Sequence, residues 1–152
     1  MNMSEYIVVR ILFKGETELH SMEYFDDRHT AEQRYFGIIG ADINNKETTY
    51  NAAFIVDKYG NMLRCEINDI RESKGKFFIL LRYFIKDGKY NNSVQYYPVD
   101  NENPYASYKT ALQRWFNVIA ADLKDETITA NGSFIIDSHS GEITDGRTFE
   151  EE

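Results

Sequence analysis

Residues 33–42 read QRYFGIIGAD, and residues 113–122 read QRWFNVIAAD. This pair decides the fold, because the likeness runs well past ten positions. At an offset of 80, residues 30–57 (TAEQRYFGIIGADINNKETTYNAAFIVD) lie on residues 110–137 (TALQRWFNVIAADLKDETITANGSFIID) without a gap, identical at 13 of 28 positions. Upstream, YIVVRILFKG from Tyr6 matches FILLRYFIKDG from Phe78 at an offset of 72. The second copy therefore carries about eight extra residues before its helix, and the pattern reads as a tandem duplication.

Each copy has the same local grammar. An apolar strand comes first (Tyr6 to Lys14, or Lys76 to Lys86), with Ile7, Val9, Ile11 and Phe13 alternating on one face. A Gly-containing turn leads to a second strand, ELHSMEYF or SVQYYPV. A helix then starts near Asp27, a good N-cap, or near Asn103 and Pro104, where proline suits a first turn. A hairpin closes the unit, AAFIVDKYGNMLRCEI or GSFIIDSHSGEITDG. The expected fold is α+β, a tandem ββαββ duplication (1–72 and 73–152) with two antiparallel sheets, each backed by one helix and related by a pseudo-twofold axis. The polar stretch IRESKGK (70–76) joins the units. One helix face per unit is a small core, so the units are expected to depend on each other as one cooperative domain. The sequence leaves open whether the sheets join edge to edge or meet through their helices.

The helix has a broad apolar arc: Ala31, Tyr35, Phe36, Ile38, Ile39 and Ile43 in the first copy, and Ala111, Trp115, Phe116, Val118, Ile119 and Leu123 in the second. All twelve are expected to face the core. Asp42 and Asp122 fall inside the same arc, in the last turn, where the helix dipole disfavours an anion. The economical reading is a helix end whose Asp accepts hydrogen bonds from loop backbone. The sharper alternative is a pair of functional carboxylates, a cation site or an acid and base. Arg34 and Arg114 recur at the edge of the arc, as bridges to the neighbouring unit, as apolar cover, or as a candidate ligand-binding pair for phosphate. Asp57 and Asp137 end a strand as turn residues, and Asn51 and Asn131 are expected in turn conformation before it.

Composition narrows the partners. Lys and Arg total 17 against 25 Asp and Glu, a net charge of -8. Direct nucleic-acid binding and an anionic membrane surface are both disfavoured, whereas a basic protein surface fits. Cys65 is the lone cysteine, so no intrachain disulfide forms. The N-terminus lacks the pattern of a signal peptide and no apolar run reaches membrane length, so a cytoplasmic location is expected. His20, His29 and His139 have no counterparts in the other copy and no metal-ligand spacing. No phosphate loop, zinc pattern, calcium loop or nucleophile elbow occurs. No catalytic residue, metal or cofactor is therefore assigned, and a non-enzymatic protein is expected.

The copies differ most between Lys86 and Tyr108, where tyrosines stand among Asn, Ser and Asp. Rigid amphipathic rings beside adaptable polar groups make a recognition composition. Tyr90, Tyr96, Tyr97, Asn101, Glu102, Tyr105 and Tyr108 are the candidate partner-binding residues, with ordinary strand core as the competing reading of some rings.

The apolar strand ending in Lys-Gly, the Tyr/Phe helix and the FIVDKYGN hairpin together resemble small ββαββ proteins of bacterial phages and mobile elements, here across the whole chain in two copies. By analogy of size and charge, the resemblance implies an anti-defence inhibitor of a basic host protein, an anti-CRISPR-like mimic of nucleic-acid charge, acting as a monomer or homodimer. The alternatives are a small-ligand (nucleotide) sponge with Arg34 and Arg114 at the repeat interface, and an enzyme using Asp42 and Asp122.

Overall fold

A computed structural model describes residues 2–71, 75–100 and 102–151. The chain divides into two compact units, Ser4–Lys74 and Gly75–Glu152 together with Met1–Met3. In the first, β1 (Tyr6–Lys14), β2 (Thr17–Phe25), α1 (Arg28–Ile43), β3 (Thr48–Asp57) and β4 (Met62–Asp69) form an antiparallel sheet of order β2-β1-β3-β4 with one helix. In the second, β5 (Phe77–Lys86), β6 (Lys89–Pro98), α2 (Pro104–Lys124), β7 (Ile128–Asp137) and β8 (Ile143–Glu150) give the order β6-β5-β7-β8. The expected α+β class, with a four-stranded sheet and a helix in each unit, is what forms. Residues 72–74 of the expected joint lie outside the described residues.

Local chemistry explains the elements. Asp27 caps α1 by accepting from the Thr30 amide at 2.9 Å, and Asn103 caps α2 by accepting from the Ala106 amide at 3.3 Å. Asp87 and Gly88 both take positive φ (52° and 75°) in the two-residue link from β5 to β6, the backbone a type I′ hairpin needs. Register shifts fall at matching places, Phe13/Lys14 and Ile55/Val56 in one sheet, Ile85/Lys86 and Ile135/Ile136 in the other. The Lys86–Tyr108 insert is spent on a longer connection after β6 and on an extra first turn of α2, so six helical residues precede Thr110 where two precede Thr30.

Each helix packs on one face of its own sheet. Ala31, Tyr35 and Ile38 meet Val8, Ala53 and Ile55, and Ala111, Trp115 and Ile119 meet Phe78, Leu80 and Ile135. The Trp115 indole N–H donates to the Ser133 carbonyl at 3.0 Å, so the buried ring keeps its hydrogen bond. The opposite sheet faces are also apolar and closed to solvent, through Ile7, Val9, Ile11 and Phe54 in one unit and Ile79, Leu81, Tyr83 and Phe134 in the other. Here one substitution compensates another. Cross-strand partners Ile11 and Ala52 are replaced by Tyr83 and Gly132, and a Cβ on Gly132 would sit 2.2 Å from the Tyr83 ring.

Three expectations need correction. Phe36, Ile43, Phe116 and Leu123 do not face the core; they are 54%, 58%, 57% and 51% exposed, because a helix lying on a flat sheet buries a narrower stripe than its apolar arc. Asn51 and Asn131 are not turn residues. They are buried inside β3 and β7, which begin earlier, at Thr48 and Ile128, than the apolar run alone suggests. Strand β6 likewise starts at Lys89 instead of Ser93, because antiparallel pairing with β5 continues to the hairpin turn.

Candidate functional site

The recurring Asp pair resolves first. Asp42 and Asp122 are each 2% exposed, and neither serves loop backbone as expected. Asp42 accepts two hydrogen bonds from Arg10 on β1, the Nε one at 2.9 Å, and Asp122 accepts the same pair from Arg82 on β5, again 2.9 Å from Nε. A carboxylate buried at a helix C-terminus is costly alone, and a bidentate guanidinium offsets that cost. The Asp42 hydrogen bond raises the Arg10 pKa further, against the lowering effect of burial. Asn131 Nδ2 also donates to Asp122, and Ser133 Oγ lies 3.4 Å from Asn131 Oδ1. In the first unit Asn51 instead accepts from Asn68 at 3.2 Å. These pairs tie the C-terminal turn of each helix to the first strand of its sheet.

Beside Asp122 the second unit opens into a cavity of about 620 Å³. Leu123, Ile128 and Phe149 supply apolar walls, and Asp122, Asp125, Glu126, Glu150 and Glu151 supply five carboxylates. Arg82 neutralises Asp122, and Lys86 Nζ lies 3.0 Å from Asp125. Hydrogen bonds from Thr127 and Lys86 hold the Asp125 carboxyl down to about 2. Glu126, Glu150 and Glu151 stand exposed on the rim, and Glu150 accepts from the Met3 amide at 3.0 Å. The first unit carries Asn45, Lys46, Asp69 and Ile70 at the matching places, and Asp69 is clamped by Arg71 at 2.8 Å. The acidic concavity lies in the second unit. It suits an extended cationic side chain with an apolar stem.

The tyrosine candidates do not share one surface. Tyr90 and Tyr96 lie across from Ile85 and Ile79, on the sheet face away from α2. Tyr97 packs on the helix side, where burial raises its pKa and its hydroxyl donates to Gln95 at 2.9 Å. Tyr108 stacks edge-on against Phe78 and donates to the Asp145 carboxylate; that hydrogen bond, with burial, pushes its pKa up to about 12. Tyr105 is 65% exposed, with the Lys109 ammonium 4.8 Å from its ring centroid. Glu102 is exposed, and Asn101 lies outside the described residues.

Arg34 and Arg114 find partners inside their own units. Arg34 pairs with Glu23 of β2 at 2.7 Å, and Arg114 reaches Gln95 of β6 at 3.4 Å. The nearest strand lies within reach of a helix-edge guanidinium, so the partner is local. Among the described residues, no three His, Cys, Asp or Glu side chains are placed to hold a metal ion. No helix among them is long and apolar enough to cross a membrane.

Sequence reasoning missed Arg10, Arg82 and the rim glutamates. The arginines had a signal: both occupy the same place in YIVVRILFKG and FILLRYFIKDG. The rim had none, because Glu126 and Glu150 meet only through the pairing of β7 with β8. No family model matches the chain, and no match was found among curated proteins or solved structures.

Proposed function

We propose that this chain is a non-enzymatic acidic binding protein whose target is a basic protein surface. The observation that carries the reading is the carboxylate-rimmed cavity of the second unit, with Glu126, Glu150 and Glu151 facing solvent. In a chain of net charge -8, such a rim concentrates negative potential where a Lys or Arg can enter. We further infer that the chain serves a phage or mobile element by inhibiting a basic, nucleic-acid-binding host protein, in the manner of an anti-CRISPR charge mimic. Support for this comes from size, charge and the ββαββ pattern alone. The likeness of residues 30–57 to 110–137, with matching register shifts, supports descent by duplication of one ββαββ unit, after which only the second copy gained the rim.

The nucleotide-sponge alternative is weaker, since Arg34 is engaged by Glu23. A pull-down from bacterial lysate at low and high salt tests the main reading. The wild-type chain is expected to retain a basic protein at low salt and release it at high salt. Glu126→Gln/Glu150→Gln/Glu151→Gln is expected to lose that protein. Retention indifferent to both salt and the triple substitution overturns the proposal.

A further inference from the structure

Each helix carries two neighbouring apolar seams, and its sheet takes only one. In α2 the inner seam is Ala111, Trp115, Val118 and Ile119, closed by Asp122, all buried. The outer seam steps through Tyr105, Leu112, Phe116 and Leu123; Leu112 is half-buried against the core, and Tyr105, Phe116 and Leu123 are 65%, 57% and 51% exposed. Tyr105 to Leu112 and Phe116 to Leu123 are each seven residues apart, the repeat by which one helix presents a seam to another. We propose that the outer seam of α2 is a homodimer interface, in which α2 packs antiparallel on α2 of a second copy about a two-fold axis near Phe116.

Charge points to a second copy as the occupant. The N-terminal half of the seam carries Lys109, and the C-terminal end opens on the acidic rim that includes Glu126. An antiparallel pair centred on Phe116 sets Lys109 of each copy against the C-terminal turn of the other. There Glu126 and the helix dipole are negative, against one basic residue, Lys124, and the contact is made twice. The equivalent face of α1 is less suited. Its seam holds Glu32, bound by Arg28 at 3.0 Å and Arg64 at 3.3 Å, and the Arg64 guanidinium lies 5.3 Å from the Phe36 ring centroid. Leu112 and Asp145 replace Glu32 and Arg64 in the second unit, and Asp145 is taken by Tyr108. A helix of 21 residues is about 31 Å long, which brings the contact to the low end of specific interfaces, about 600 Å² per partner. Weak, reversible self-association is expected.

Sedimentation equilibrium of the full chain, from micromolar to several hundred micromolar, tests this. A reversible dimer is expected. Phe116→Glu and Leu123→Glu, both at exposed positions and checked for fold by circular dichroism, should each raise the dissociation constant about 100-fold. Phe36→Glu on α1 should leave it unchanged. Lys109→Glu should weaken the dimer about tenfold, and Lys109→Glu/Glu126→Lys should restore it. A chain monomeric at every concentration overturns the proposal, as does a dimer indifferent to Phe116→Glu or one abolished by Phe36→Glu instead.

Discussion

Asp122 shows how much a single residue depends on its partner. With Arg82 in place it is a satisfied anion; without it, a buried carboxylate faces a helix C-terminus with Asn131 as its remaining side-chain donor. Arg82→Met is therefore expected to cost about 3 kcal/mol, read as a lowered urea midpoint at unchanged slope. Arg82→Lys should recover only part of this, since an ammonium lacks the two-pronged geometry. Arg82→Met/Asp122→Leu should recover most of it, because no unpaired charge is then buried. Asp125 gives a pH signature. Its folded pKa of about 2 lies below the ordinary carboxyl range, so its contribution is present above about pH 4 and fades as pH falls toward 2. Acid titration of Asp125→Asn should show a smaller loss of stability across that window than the wild type.

The pairing of β5 with β7 supplies the clearest example among the elements. Tyr83 lies over Gly132, whereas the equivalent strands of the first unit set Ile11 against Ala52. Gly132→Ala should destabilise by about 1–3 kcal/mol through overpacking, since the added methyl would meet the ring 2.2 Å away. Tyr83→Ile/Gly132→Ala, which recreates the first unit's pair, should return most of that loss in thermal unfolding. The two units had to be set side by side to see the difference, and the sequence permits that. Legibility was good where period and cap chemistry act locally. The ββαββ order, the Asp27 and Asn103 caps and the Asp57 turn, whose carbonyl accepts from Gly60 at 3.1 Å, were all readable. It failed for Asn51 and Asn131, because a polar residue inside a strand looks like a turn until its buried partner across the sheet is known. It failed again for Phe36 and Phe116, because helical period says which residues share a face and not how wide a stripe the sheet covers.

For the molecule as a whole, the sign of the charge is the first constraint on what can approach it. A net charge of -8 repels phosphate and favours cationic partners, and this much follows from counting. If the rim carries the binding, affinity for a basic partner should fall steeply with salt. Glu150→Gln/Glu151→Gln should flatten that dependence more than Glu16→Gln/Glu18→Gln on the β1–β2 hairpin, as isothermal titration across a salt series would show. Sequence by itself determined the α+β class, the order of elements, the repeated positions and the sign of the charge. These depend on periodicity, turn chemistry and composition, all of which act over a few residues or over all of them at once. Tertiary structure alone decided that Arg82 answers Asp122, that the insert's tyrosines divide between two sheet faces, and that Glu126, Glu150 and Glu151 surround one cavity. Those contacts join residues far apart in the chain. Strand register and the seating of the helix on its sheet bring them together, and neither is written in any short stretch.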